Sequence, residues 1–227
     1  MTIANGSLLK VEALGRQIQN RWIWRNISFE LQPGERLALI GSSGAGKSLL
    51  LRSLAGLDPA QTGKICFRDQ PLSDWLMPHY RAQVTYVQQR PALFEGTVED
   101  NLRSVYQFAV HHPKTFDRDR IAQYLALLNR PTQFLDRPSL SLSGGEAQIV
   151  GFLRALQLNP QVFLLDEPTA ALDREAVEQF EALVRCWHTE DPQRAYIWTS
   201  HNPDQVQRIS DRQFALSPDE STVKPEA

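Results

Sequence analysis

The sequence predicts an α/β fold, a parallel sheet interrupted by an inserted helical block, and three observations carry that prediction. Val162-Phe163-Leu164-Leu165 is a continuous apolar run, as a parallel strand covered on both faces requires, and Ala195-Tyr196-Ile197-Trp198-Thr199 reads the same way. Such runs alternate with stretches of helical periodicity, the arrangement that produces crossover connections. A third apolar run, Leu37-Ala38-Leu39-Ile40, is separated from Leu49-Leu50-Leu51 by Gly41-Ser42-Ser43-Gly44-Ala45-Gly46-Lys47-Ser48, which reads as strand, loop and helix.

Taken in order, residues 7 to 31 read as short strands with a turn, among them Leu8-Leu9-Lys10-Val11 and Ile27-Ser28-Phe29-Glu30-Leu31, and are expected to form an antiparallel β subdomain. Gln32-Pro33-Gly34-Glu35 is a turn by its Pro-Gly pair. The core strand 36–40 leads through the glycine-rich loop into a helix reaching about Leu54, with Gly56 as its C-cap. Gly63-Lys64-Ile65-Cys66-Phe67 and Val84-Thr85-Tyr86-Val87 are further strands, the second ending at Gln88-Gln89. From Val98 to about Arg137 the pattern turns helical, with Ile121, Tyr124, Leu125 and Leu128 at i, i+3, i+4 and i+7. This block breaks the alternation and predicts an inserted helical subdomain over about 98–142, within a domain spanning 7–216. The polar tail 217–227, with Pro218 and Pro225, is expected to be disordered.

At 227 residues the chain is long enough for one domain with a real hydrophobic core. A net charge of -2 gives no reason to expect the basic face that nucleic-acid binding needs, so no nucleic-acid partner is predicted. The two cysteines, Cys66 and Cys186, lack metal-ligand spacing and are expected to be reduced thiols in a cytosolic protein. No apolar stretch approaches the length of a membrane span, and the N-terminus lacks a cationic segment followed by an apolar one. The expected protein is therefore neither exported nor self-inserting, and any work at a membrane needs another subunit.

Three segments carry chemistry. Residues 41–48 form G-x-x-x-x-G-K-S between strand and helix, where glycines let consecutive N–H groups curl around an anion. The helix N-terminus and Lys47 add positive charge near the β- and γ-phosphates of a nucleotide, and Ser48 is placed to offer its hydroxyl to Mg²⁺. Asp166-Glu167 end an apolar strand at the same sheet edge as that loop. Asp166 is suited to hold Mg²⁺, directly or through water, and Glu167 to take a proton from the water attacking the γ-phosphate. In Leu142-Ser143-Gly144-Gly145-Glu146-Ala147-Gln148, Ser143 and Glu146 have capping-box spacing, and the two glycines expose bare N–H groups in the first helical turn. Two phosphate-binding helix ends in one chain invite a two-molecule arrangement in which each copy closes the other's site.

These elements, in this order and spacing, resemble the nucleotide-binding domain of an ATP-binding cassette (ABC) transporter, a P-loop NTPase core, over about residues 7 to 216. Residues 41–48 are similar to its Walker A motif, 142–148 to the LSGGQ-type signature, and 162–167 to Walker B with its catalytic glutamate. Ala171-Leu172-Asp173 resembles the D-loop, His201 the switch histidine, and Gln89 fits the Q-loop glutamine better than Gln88. The resemblance implies a head-to-tail dimer with two ATP molecules, each lying between residues 41–48 of one copy and Ser143-Gly144-Gly145 of the other. It implies that Glu167 polarises the attacking water, His201 contacts the γ-phosphate, Gln89 senses Mg²⁺ and the membrane partner, and Asp173 communicates across the interface. Three positions depart from the family pattern. Ile18 stands where an adenine-stacking aromatic is common, with Trp22 or Trp24 as alternatives and a buried structural role the stronger expectation for both. Leu49 replaces a frequent Thr, leaving only its backbone N–H for the nucleotide, and Ile149 replaces an Arg.

Pro91-Ala92-Leu93-Phe94-Glu95-Gly96-Thr97-Val98-Glu99-Asp100-Asn101-Leu102 resembles the form common in exporter-type domains, in the region that meets a transmembrane coupling helix. The compact chain is similar to small bacterial ATP-binding subunits associated with iron export and to plant aluminium-tolerance subunits. The resemblance thus implies an ATPase subunit at the inner face of the cell membrane, powering export through an integral membrane permease. The rival expectation is a cytosolic assembly-type ABC ATPase with no membrane partner.

Overall fold

The computed structural model describes residues 6–217, so the tail from residue 218 lies outside the described residues. Strands β1 (Leu9–Ile18) and β2 (Arg21–Leu31) form a hairpin whose two turn residues, Gln19 and Asn20, both take positive φ, as a two-residue hairpin turn requires. Strand β3 (Arg36–Ile40) runs into the loop and then helix α1 (Lys47–Leu54). Gly56, at φ 64°, ends α1: its N–H donates to Ser53 O and that of Leu57 to Arg52 O, so the last carbonyls stay satisfied. Then follow β4 (Thr62–Phe67), the short β5 (Gln70–Pro71), α2 (Met77–Gln83) and β6 (Val84–Val87). The second half holds α3 (Val98–Arg103), α4 (Arg118–Leu127), α5 (Gly144–Leu156), β7 (Val162–Asp166), α6 (Arg174–Thr189), β8 (Ala195–Thr199), α7 (Pro203–Ile209) and β9 (Arg212–Ala215).

Two sheets result, as predicted. One is antiparallel in the order β2-β1-β4-β5, and the other is five-stranded and parallel in the order β6-β7-β8-β3-β9. Side chains alternate along a strand, which explains why the β7 run is apolar without interruption. Val162 and Leu164 face a core shared with α1 and the antiparallel sheet, whereas Phe163 and Leu165 face a second core under α5 and α6. Strand β8 divides the same way, Ile197 to the first core and Tyr196 with Trp198 to the second. Phe152, Phe163, Phe180, Trp187 and Trp198 fill that second core, with the Phe152–Phe180 and Phe163–Trp187 ring centroids 4.3 and 4.4 Å apart. All parallel strands end on one side, so β3, β6, β7 and β8 deliver residues 41–48, Gln89, Asp166-Glu167 and His201 to a single sheet edge.

The expected helical block from Val98 to about Arg137 is built of short pieces. Only α3 and α4 are α-helical there, and 3₁₀ turns occupy Ser104–Gln107, Ala109–His111, Thr132–Asp136 and Ser139–Ser141. Pro113, Pro131 and Pro138 have no N–H to continue a helix, and Asn129, at φ 51°, closes α4 with a left-handed cap. The periodic set Ile121, Tyr124, Leu125 and Leu128 does lie on the buried face, packed into the second core.

Candidate active site

The loop 41–48 wraps over the N-terminus of α1. Gly41, Gly44 and Gly46 all take positive φ, 154°, 80° and 89°, which suits glycine alone. At Gly46 a Cβ would also lie 2.6 Å from Ile23 Cγ2 and 2.8 Å from Trp24 Nε1. Lys47 is buried, and its Nζ donates to Gly41 O at 2.8 Å and Ser42 O at 3.0 Å. The ammonium thus sits inside the loop that a phosphate would enter, while Ser42, Ser43, Gly44 and Ser48 are exposed and Leu49 is half-buried. Trp24 is wholly buried beneath Gly46, and Arg25 lies over the half-buried Trp22 ring at 5.4 Å, so Trp24 offers adenine no face. Ile18, at the hairpin end of β1, is 39% exposed.

Around the end of β7 the polar groups converge. Asp166 is buried and accepts from Tyr86 Oη at 2.8 Å on one oxygen and Thr199 Oγ1 at 3.1 Å on the other. Burial, reinforced by the Asp166 charge, pushes the Tyr86 phenol well above its ordinary pKa, so it stays a donor. Glu167 is gripped by two side chains: its Oε1 lies 2.8 Å from His201 Nε2, and its Oε2 accepts from Gln89 Nε2 at 2.9 Å. Its backbone, at φ 45°, is left-handed, and its N–H donates to Thr199 Oγ1 at 2.8 Å. An open groove of about 970 Å³ starts here and runs between α6 and α7, past Glu167, His201, Arg174 and Arg208.

Among the described residues, no cluster of three or more His, Cys, Asp or Glu side chains could cage a metal. The donor set nonetheless suits Mg²⁺, which is habitually held by one or two protein oxygens and completed by phosphate and water. Asp166 and the exposed Ser48 hydroxyl offer such oxygens, and Asp166 spends only one lone pair of each oxygen on its neighbours.

Helix α5 begins with the expected capping box, Ser143 Oγ accepting from Glu146 N–H and Glu146 Oε2 from Ser143 N–H. Burial would raise the Glu146 carboxyl, but the Ser143 N–H and Arg137 together hold it below the usual range. The two glycines differ. A Cβ on Gly144 would meet only Ala171 Cβ at 3.7 Å, whereas one on Gly145 would lie 2.6 Å from Ala171 O. Close packing against 171 therefore accounts for Gly145, whereas Gly144 is exposed and has room for a side chain. The spacing of the motifs gave no sign of how Gln148 is used. Its Nε2 donates to Gln89 O at 2.8 Å and Glu167 O at 3.3 Å, while its Oε1 accepts from Ala171 N–H at 3.0 Å. Asp173 caps α6 through Ala176 N–H. Sequence reasoning also passed over Tyr86 and Thr199. The signal for Thr199 was a hydroxyl closing an otherwise apolar run.

A phosphate-binding loop and a paired carboxylate at one edge of a parallel sheet define the class: a P-loop ATPase. The chain belongs to the ABC transporter family, whose profile matches residues 24–170. It is 33% identical over 214 residues to the probable iron export ATP-binding protein FetA of Escherichia coli K12, covering 94% of this chain and 93% of that one. It is 37% identical over 199 residues to the nickel import ATP-binding protein NikO of Rhodobacter capsulatus, covering 84% and 78%. The fold is also similar to a solved ATP-binding subunit of an ABC transporter, with a TM-score of 0.82 and 25% identity over 92% of this chain and 86% of that chain. The protein is thus an ABC ATP-binding subunit with ATPase activity. Its similar relatives include both an export and an import subunit.

Proposed function

We propose that this subunit hydrolyses ATP to drive export of a solute through a separate integral membrane permease, working as a head-to-tail pair at the cytoplasmic face of the cell membrane. The observation that carries the hydrolytic part is the position of Glu167, held between Gln89 and His201 and next to the buried Asp166. In this reading residues 41–48 and the N–H of Leu49 cradle the ATP phosphates, and Lys47 turns from the loop carbonyls toward them. Ser48, Gln89 and Asp166 hold Mg²⁺, which when bound neutralises charge on the β- and γ-phosphates. Glu167 accepts the proton of the attacking water, and His201 steadies the γ-phosphate. Ser143, Gly144 and Gly145 of a second copy close over the nucleotide. Export is favoured by the high mutual coverage with FetA and by the form of residues 91–102. None of the helices among the described residues is long and apolar enough to cross a membrane, and in this reading the permease supplies the membrane-spanning part.

Glu167→Gln tests the chemistry. It keeps the side-chain volume but removes the proton acceptor, so ATP binding persists, turnover falls to background, and ATP holds the protein as a stable dimer by light scattering. Wild-type hydrolysis in that variant would sink the assignment. Co-purification with a multi-span membrane protein from native membranes tests the transport role, and consistent absence of one would overturn it.

A further inference from the structure

We propose that Thr199 is a positioning residue for hydrolysis, setting the backbone of Glu167 and the carboxylate of Asp166 through one hydroxyl. The proposal rests on the reading of Glu167 as proton acceptor and Asp166 as metal holder. Thr199 has no solvent exposure and closes β8, every other residue of which is buried and carries a mainly apolar side chain. The parallel register sets it directly opposite Asp166. Its Oγ1 has one proton and two lone pairs. The Glu167 N–H takes one lone pair at 2.8 Å, and the proton goes to Asp166 Oδ1 at 3.1 Å, with Leu165 O at 3.4 Å the poorer acceptor. A single buried group thus reaches both carboxylate residues from a neighbouring strand.

Glu167 needs such a hold because its backbone is left-handed at φ 45°, a conformation that is strained for a residue bearing a side chain. The bond to Thr199 fixes that backbone, and hence where the side chain starts. His201 and Gln89 then decide only where the carboxylate ends. On Asp166, Thr199 and Tyr86 each occupy one oxygen, so rotation of the carboxylate would break a hydrogen bond at either end. Valine has the shape of threonine without the hydroxyl, and at this site it would orphan the Glu167 N–H.

The test compares Thr199→Val and Thr199→Ser with wild type and Glu167→Gln. In Thr199→Val, kcat is expected to fall about 10- to 100-fold, the range for losing a group that orients a site residue. Binding of ATP in EDTA should stay within about twofold, because the phosphate loop is untouched. The Mg²⁺ concentration that half-saturates ATP-induced thermal stabilisation should rise, and hydrogen exchange of the Glu167 amide should speed up. Thr199→Ser should restore kcat to within about threefold, since the hydroxyl returns without the methyl. Wild-type kcat in Thr199→Val, or loss of activity matched by loss of ATP binding and unrescued by Ser, would overturn the proposal. Should Thr199→Val not fold, Thr199→Ala removes the same hydroxyl and carries the same expectations. Failure of Glu167→Gln to abolish turnover would instead fault the underlying reading of the site.

Discussion

Gly144 and Gly145 are neighbours with the same side chain, yet only one has room for a larger one. Alanine at 145 would press its methyl onto Ala171 O and Leu172 Cδ2, at 2.6 and 3.0 Å. Overpacking of that kind costs about 1–3 kcal/mol. Alanine at 144 meets nothing closer than 3.7 Å. Gly145→Ala should therefore melt several degrees lower, whereas Gly144→Ala should melt at or above wild type and still lose ATP-dependent dimerisation, as calorimetry and light scattering would show. The pair also marks how far the sequence is legible. Helix start, cap and glycine placement follow from local spacing, but Gly145 is dictated by a backbone 26 positions away. No local pattern records such a contact. Gln148 escaped notice for the same reason, and the hydroxyl closing the apolar run marked Thr199 without revealing its partners, which lie remote in sequence.

At the scale of elements, α5 is the organiser of the site. It is capped by Ser143, carries Gln148 one turn later, and at Gly151 passes so close to Pro91 that a Cβ would stand 2.5 Å from the Pro91 Cβ. Gly151→Ala should push the segment after Gln89 away from the sheet edge, lowering stability by about 1–3 kcal/mol. Steady-state ATPase should drop further than the melt alone explains, because Gln89 reaches Glu167. Strands β3, β7 and β8 were readable because burial on both faces imposes a simple rule on composition. Residues 98–142 were less so. Periodicity revealed the buried face of α4, but short 3₁₀ turns bounded by prolines carry no period of their own.

For the whole molecule, His188 and Asp211 are among the groups that tie stability to pH in the same direction. Burial pushes His188 below its ordinary 6.5, while its Nε2 lies 3.0 Å from Gly34 O. Hydrogen bonds from Arg36 hold Asp211 below its ordinary 3.8 and link β9 to β3. Both folded values are depressed, so the unfolded chain takes up protons first and stability falls as pH falls. The His188 share disappears as the solution is acidified from about 6.5, and the Asp211 share only below about 4. Melting curves at pH 7.5 and 5.5 should therefore separate in the wild type and lie closer in His188→Gln, where the buried His111, also held below its ordinary value, keeps its own share. Asp211→Asn should flatten the slope only at the more acid end.

The loop at Ala171 is held on both of its faces: Gly145 lies against its carbonyl, and Gln148 binds its N–H. A joint gripped from two sides has no play. The Gln148 amide also donates to the backbone carbonyls of Gln89 and Glu167, so one side chain on α5 meets all three loops. Helix and loops are cross-braced by a single amide, and Gln148→Ala would release the backbones of Gln89, Glu167 and Ala171 at once.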